Sequence, residues 1–180
     1  ASVGGLILLP PVLIKSIGDW LTIRTQLRLT HQSPKLEHYA EPVMEFLHKL
    51  LQQEHSADLK DQMLEATQSL GLRLNKLLEE AGRKNWQDQD VIGPIFSPAC
   101  YIEHSVPSVL YLLAKYETDA EQALITNAEA GGDNCHRGAI LGALLGAAGG
   151  TGVFPSRWIE QLHDRTMILE EIERFIESVN

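Results

Sequence analysis

Asp133, Cys135, His136 and Arg137 place a carboxylate, a thiol, an imidazole and a guanidinium within one short stretch of the chain. Such a cluster could ligate a cation, hold an anion or activate a nucleophile. A carboxylate is a hard oxygen donor suited to Mg2+, whereas thiolate and imidazole favour zinc, copper or iron. A cysteine in the first turn of a helix, beside histidine and arginine, has its thiolate stabilised by the helix dipole and nearby positive charge. A Cys–His pair can serve as nucleophile and base. Adjacent helical residues point about 100° apart, so a base for Cys135 would more readily come from another element, His104 or His31. Arg137 offers either a phosphate contact or a buried ion pair with the helix before it.

The elements that must position these groups are written on either side of them. Gly131 and Gly132 permit backbone angles closed to other residues. Asp133 and Asn134 are good N-cap residues, whose oxygens could satisfy the free N–H groups of the next turn. After them Gly138, Ala139, Gly142, Ala143, Gly146 and Ala147 recur at spacings of three and four, which predicts a helix with a nearly bare face that another backbone can approach. Each glycine destabilises a lone helix by about 1 kcal/mol relative to alanine. This helix is therefore expected in the interior, where packing compensates.

This segment resembles the C-terminal metal-site motif of the ADP-ribosylglycohydrolase family, Gly-Gly-Asp-x-Asp-Ser/Thr followed by a run of small and aliphatic residues. Gly131, Gly132 and Asp133 match, as does the whole run 139–147. Cys135 stands where the family has its second metal-binding aspartate, and His136 where it has its Ser or Thr ligand. Thr30-His31 before a proline-containing turn is also similar. So is the order of an aromatic–aliphatic stretch at Tyr101, Ser105-Val106-Pro107, a helix, a second helix at 119–130 and then the glycine turn. The likeness covers about residues 10–158 and is strongest from Tyr101 onward.

The resemblance implies an all-α fold, an orthogonal multi-helix bundle like the C-terminal part of the family's domain. Residues 1–180 would be a single domain forming the C-terminal part of a longer one. It implies two Mg2+ (or Mn2+) ions holding the ribose of an ADP-ribosylated substrate while an N- or O-glycosidic bond is hydrolysed. Carried onto this chain, Asp133 becomes a metal ligand, and Asp133, Cys135 and His136 occupy the catalytic positions. Tyr101, His104, Gly131, Gly132 and Arg137 would surround ADP-ribose. The family's N-terminal motifs, Gly-Asp-x-x-Gly and Ser/Thr-Asp-Asp-Thr, are not in this sequence. A missing N-terminal segment or a second chain would complete the site. Three readings stay open: a hydrolase with an altered metal turn, a catalytically silent ADP-ribose binder or structural relative, and a cysteine-dependent hydrolase using Cys135.

Composition sets the bounds. At 180 residues the chain can bury a real core. A formal net charge of -9 argues against a nucleic-acid backbone or an anionic membrane surface as partner, but allows a small anionic ligand at a local positive site. Two cysteines allow one bridge at most, and a reduced, cytoplasmic setting is the simpler expectation. The apolar run 3–14 is too short to span a membrane and lacks the basic flank of a signal peptide. It reads as a buried helix broken at Pro10-Pro11, and the chain as beginning inside a domain.

Helical periodicity predicts a helix over 12–29, ended by 30–34, with His31 a hydrogen-bonded cap or turn residue. Further helices are expected at 37–51, with Leu51 inward, and at 57–81, with Gly82 as C-cap. Glu41, Glu45, Glu54, His48 and His55 read as solvated surface. Residues 83–98 read as an irregular loop in which Asp88 and Asp90 are bland rather than cation ligands. Ser105 is expected to cap the next helix, with Pro107 in its first turn. Pro155 to Trp158 opens a last helical pair whose end, 170–177, is an acidic packed surface helix. No β pattern or internal repeat is evident.

Overall fold

A computed structural model describes residues 1–52, 63, 65 and 67–179. Ala57, Leu59, Leu64, Glu54 and His55, on which parts of the reading above rest, lie outside the described residues. Helices carry the fold, and no strand occurs among the described residues, only the isolated bridges Ser2–Tyr101 and Ile92–Phe96. The all-α expectation is met. Among the described residues no helix is long and apolar enough to cross a membrane.

The chain opens on a 3-10 turn, Val3–Gly5, followed by α1 (Leu9–Lys15) and α2 (Trp20–Thr30). Two expectations are corrected here. Pro10 and Pro11 follow Leu9 in the first turn of α1, where a missing N–H does no harm and the fixed φ favours helix; they help start a helix rather than break one. The predicted 12–29 helix is two helices, because Ile17 (φ 53) and Gly18 (φ 78) turn left-handed and Asp19 caps α2 afresh. Its carboxylate accepts from the N–H groups of Leu21 at 3.3 Å and Thr22 at 3.0 Å. A strong local cap outweighs the continuous apolar period.

α3 (Pro34–Gln52) turns Leu36, Ala40, Val43, Met44, Phe46, Leu47 and Leu50 inward, while Leu51 is exposed against expectation. His48 is half-buried rather than solvated, its ring lying against Gly18. The expected helix to residue 81 is interrupted at Gly71, whose φ is +68. α4 (Leu74–Arg83) then runs through Gly82 and is capped by Lys84, so Gly82 is interior and not the C-cap.

Residues 83–98 contain a short helix, α5 (Asp88–Val91), and a charge knot. The buried side of Asp88 accepts hydrogen bonds from Tyr111 at 2.9 Å, Lys115 at 2.7 Å and Tyr116 at 2.6 Å. Asp90 accepts the Gln87 N–H at 2.8 Å. Both carboxylates are thus committed to the protein itself. Burial raises the Asp88 pKa, but the bonds from Lys115, Tyr116 and Tyr111 outweigh it and hold the carboxyl below its ordinary range. Burial and the same carboxylate push Tyr111 up to about 12. A carboxyl depressed by folding stabilises the native state above its unfolded pKa of about 3.9 and loses that contribution as pH falls through the folded value. Urea melts should therefore weaken on acidification below about pH 4. Asp88→Ala should remove about 2–3 kcal/mol at neutral pH and flatten that acid limb. An unchanged limb would show that the knot carries no stability.

α6 (Ile102–Lys115) is the central helix, with Ile102, Val106, Val109, Leu110, Leu112 and Leu113 buried. It begins earlier than expected: Tyr101 is the N-cap, and Ser105 is an interior residue whose Oγ donates to Ala99 O at 3.2 Å. Pro107 accordingly sits in the second turn, not the first. α7 (Ala120–Glu129) is capped by Asp119, which accepts from the Gln122 N–H at 2.9 Å. α8 (Asn134–Gly149) packs on α6, α7 and α3.

The glycine stripe of α8 is not what packs. Ile140, Leu141, Leu144 and Leu145 face the core, whereas a Cβ on Gly142 would meet nothing within 4 Å. Gly146 lies under the Phe154 ring and Gly138 beside the Asn127 side chain. The interior placement expected for this helix holds; the close backbone approach does not. After a 3-10 turn (Thr151–Val153) come α9 (Ser156–Glu160) and α10 (Arg165–Glu177), the expected last pair. α10 is less packed than expected: none of its residues is buried, and a bond from Lys15 of α1 reaches Ser178, its C-cap.

Candidate functional site

The stretch between α7 and α8 is built on two consecutive left-handed glycines, Gly131 (φ 67) and Gly132 (φ 62). They differ in surroundings. A Cβ on Gly131 would point into open space, while one on Gly132 would sit 2.0 Å from Pro98 O. The chain passes so close to that carbonyl because the next residue bonds to it: the Asp133 N–H donates to Pro98 O at 2.9 Å. A loop distant in sequence thereby fixes the turn.

Asp133 is the N-cap of α8 by position, but its carboxylate caps nothing. It pairs instead with His136, Nδ1 to Oδ1 at 2.7 Å, with the side chains 17% and 43% exposed for Asp133 and His136. Asn134 does not cap either; its amide donates to Ala128 O at 3.2 Å and its Oδ1 accepts from Cys135 Sγ at 3.4 Å. The i,i+3 placement puts carboxylate and imidazole on one helical face, and the bond to the imidazole is made in place of the cap. A carboxylate at Nδ1 requires the proton there, which leaves Nε2 of a neutral ring as an acceptor. The ring rests on Gly4, where a Cβ would come within 3.4 Å of it. The 3-10 turn carrying Gly4 is itself tied to this region by Val3 N–H to Cys100 O and Ile102 N–H to Ala1 O, both 2.9 Å.

Arg137 corrects the expected phosphate contact. It is 0% exposed. Nε donates to Asn127 Oδ1 at 2.9 Å, Nη1 to Pro98 O at 3.0 Å, and Nη2 to Asn127 O at 3.1 Å and Gly131 O at 2.9 Å. Its acceptors are neutral oxygens rather than the carboxylate of an ion pair. Burial pushes the guanidinium pKa down, and the Asp133 charge partly offsets this. Arg137 stitches the end of α7, the glycine turn and the Pro98 loop together from below, out of a ligand's reach.

The other residues expected at the site divide. Cys135 is exposed, and both it and Cys100 are free thiols. Because His136 is engaged by Asp133, no imidazole is bonded to the Cys135 sulfur among the described residues. His31 is the C-cap of α2, its N–H donating to Leu27 O and its Nδ1 2.9 Å from Thr30 Oγ1; it is the cap histidine expected, and its ring lies against Gly5. Tyr101 is 55% exposed at the start of α6. His104 follows one turn later with Nδ1 buried and unpartnered, as is Glu103 Oε2. Among the described residues no hydrogen bond joins Tyr101 or His104 to the glycine turn; they share only the Pro98–Tyr101 stretch of backbone with it. Asn127 and Pro98 went unseen in the sequence. Asn127 had a faint signal, a polar residue ten positions before Arg137 on the inner face of α7, but a backbone carbonyl such as Pro98 O has none.

The Mg2+ or Mn2+ pair implied by the family likeness meets a poor set of donors here. Of the three motif positions only Asp133 offers carboxylate oxygens, and the other two carry sulfur and imidazole. Among the described residues no three His, Cys, Asp or Glu side chains are grouped to hold a metal ion. This set does not fit a pair of hard cations, which take oxygen ligands.

Compared with known proteins, residues 3–180 match the family model for ADP-ribosylglycohydrolase. No curated protein and no solved structure matches the chain.

Proposed function

The chain belongs to the ADP-ribosylglycohydrolase family, and from that premise we propose that residues 131–137 receive the ADP-ribosyl group of a substrate and promote hydrolysis of its N- or O-glycosidic bond. The observation that carries the proposal is the Asp133–His136 pair at 2.7 Å, lying at the family's motif on a turn stripped of side chains by Gly131 and Gly132. The bare turn lets a ribose come up to the backbone. The carboxylate orients the imidazole and fixes its tautomer, so that Nε2 can take a proton from a ribose hydroxyl or from an attacking water. Arg137, buried beneath, holds the turn in shape.

Calorimetric titration of ADP-ribose tests this. The native protein should bind it, and Asp133→Ala should bind at least about tenfold more weakly, the equivalent of one charge-assisted hydrogen bond. Equal affinity in the variant, or no binding by the native protein, would sink the proposal. Release of ADP-ribose from an ADP-ribosylated peptide then separates hydrolase from binder.

A second reading, an ADP-ribose binder without turnover, draws support from the Cys135 and His136 replacements at the family's ligand positions. It expects binding with no release. The thiol reading is weakened by geometry, since the Cys135 sulfur faces Asn134 and no base.

A further inference from the structure

We infer that this turn recognises its ligand without a divalent cation, the Asp133–His136 pair standing where the family's metal would be held. The inference rests on the functional reading above and deepens it.

Three observations converge. The first is engagement of the one hard donor: Asp133 Oδ1 is 2.7 Å from His136 Nδ1, so the carboxylate is already oriented by an imidazole and part of its acceptor capacity is taken. The second is chemistry. Cys135 and His136 offer sulfur and nitrogen at positions where Mg2+ needs oxygen, and the Cys135 sulfur is turned to Asn134 at 3.4 Å. The third is charge. The Arg137 guanidinium lies buried under the turn and feels the Asp133 carboxylate electrostatically. A fixed positive charge of the protein thus already balances the single negative charge of the turn. A dication is drawn to a site with excess negative charge, and this turn has none to spare. What the arrangement leaves over is a half-exposed imidazole whose Nε2 has no hydrogen-bond partner among the described residues. That group suits a ribose diol, whose hydroxyls donate.

The test uses the full chain. Mn2+ is titrated and followed by its electron paramagnetic resonance signal, and ADP-ribose is titrated by calorimetry in Mg2+ and in EDTA, into the native protein and His136→Ala. The expected result has three parts: free Mn2+ signal undiminished by the protein, ADP-ribose affinity equal in the two buffers within about twofold, and about a tenfold loss in His136→Ala in both buffers, as for one lost hydrogen bond. Uptake of Mn2+ at micromolar concentration, or ADP-ribose binding in Mg2+ alone, overturns this inference and leaves the functional reading intact. Equal binding by His136→Ala also overturns it. Absence of binding in both buffers overturns the functional reading, and this inference with it.

Discussion

Arg137→Met lowers the unfolding free energy by about 3–5 kcal/mol, the loss expected when one partner of a buried charged network is removed, and shifts the urea midpoint without changing the slope. Replacing a buried ionic group by an apolar one of similar volume is often tolerated, because both partners of a pair can be exchanged together. That escape is closed here. Three of the four acceptors are main-chain carbonyls, of Pro98, Asn127 and Gly131, and no substitution removes them. Pro98 O would keep the Asp133 N–H, but the carbonyls of Asn127 and Gly131 would lose their guanidinium donor, at about 1–3 kcal/mol apiece where water cannot reach. Arg137→Lys keeps the charge but has no planar fork to span the acceptors, so it should fall between the two. A methionine variant as stable as the native protein would mean that water replaces the guanidinium and that the network is not holding the turn.

The two glycines of the turn should respond unequally to the same change. Gly131→Ala meets only the cost of a left-handed backbone, about 1–2 kcal/mol, because the space beside it is open. Gly132→Ala meets that cost and also drives a methyl group onto Pro98 O, which lies 2.0 Å from the new Cβ position. The carbonyl cannot retreat without releasing the Asp133 N–H and Arg137 Nη1. Overpacking of about 1–3 kcal/mol then adds to the loss of those bonds, and the total should reach about 4 kcal/mol or more, with ADP-ribose binding abolished. Thermal melts of the two variants side by side provide the check. Equal melting temperatures would show that the turn tolerates a shift away from Pro98.

The sequence carries much of this turn on its surface. Paired glycines, an aspartate and a small-residue run are side-chain facts, and they locate the turn and the helix after it. The all-α class is legible for the same reason, since apolar residues recur at helical spacing and nowhere alternate. What fails is whatever depends on competition between local options. Pro10-Pro11 can break a helix or begin one, and the choice rests on the 3-10 turn before it. Ser105 is a good cap residue, yet the helix starts at Ile102 because burying that side chain decides the boundary. Asp133 could cap its helix or pair with His136, and the imidazole wins. Arg137 was readable as a cation with a role, but its acceptors are carbonyls brought in from elsewhere in the fold, and no residue type announces them.

The Pro98 carbonyl has a consequence for anyone who would move this turn into another protein. It takes the Asp133 N–H and the Arg137 guanidinium while setting the wall that only a glycine at 132 can pass. The seven residues from 131 to 137 are therefore not a portable cassette. Grafted onto a foreign helix they would keep their chemistry and lose their shape. The smallest unit that carries its own mould runs from Pro98 through Arg137, with Asn127 inside it, and a transplant should be cut at those edges.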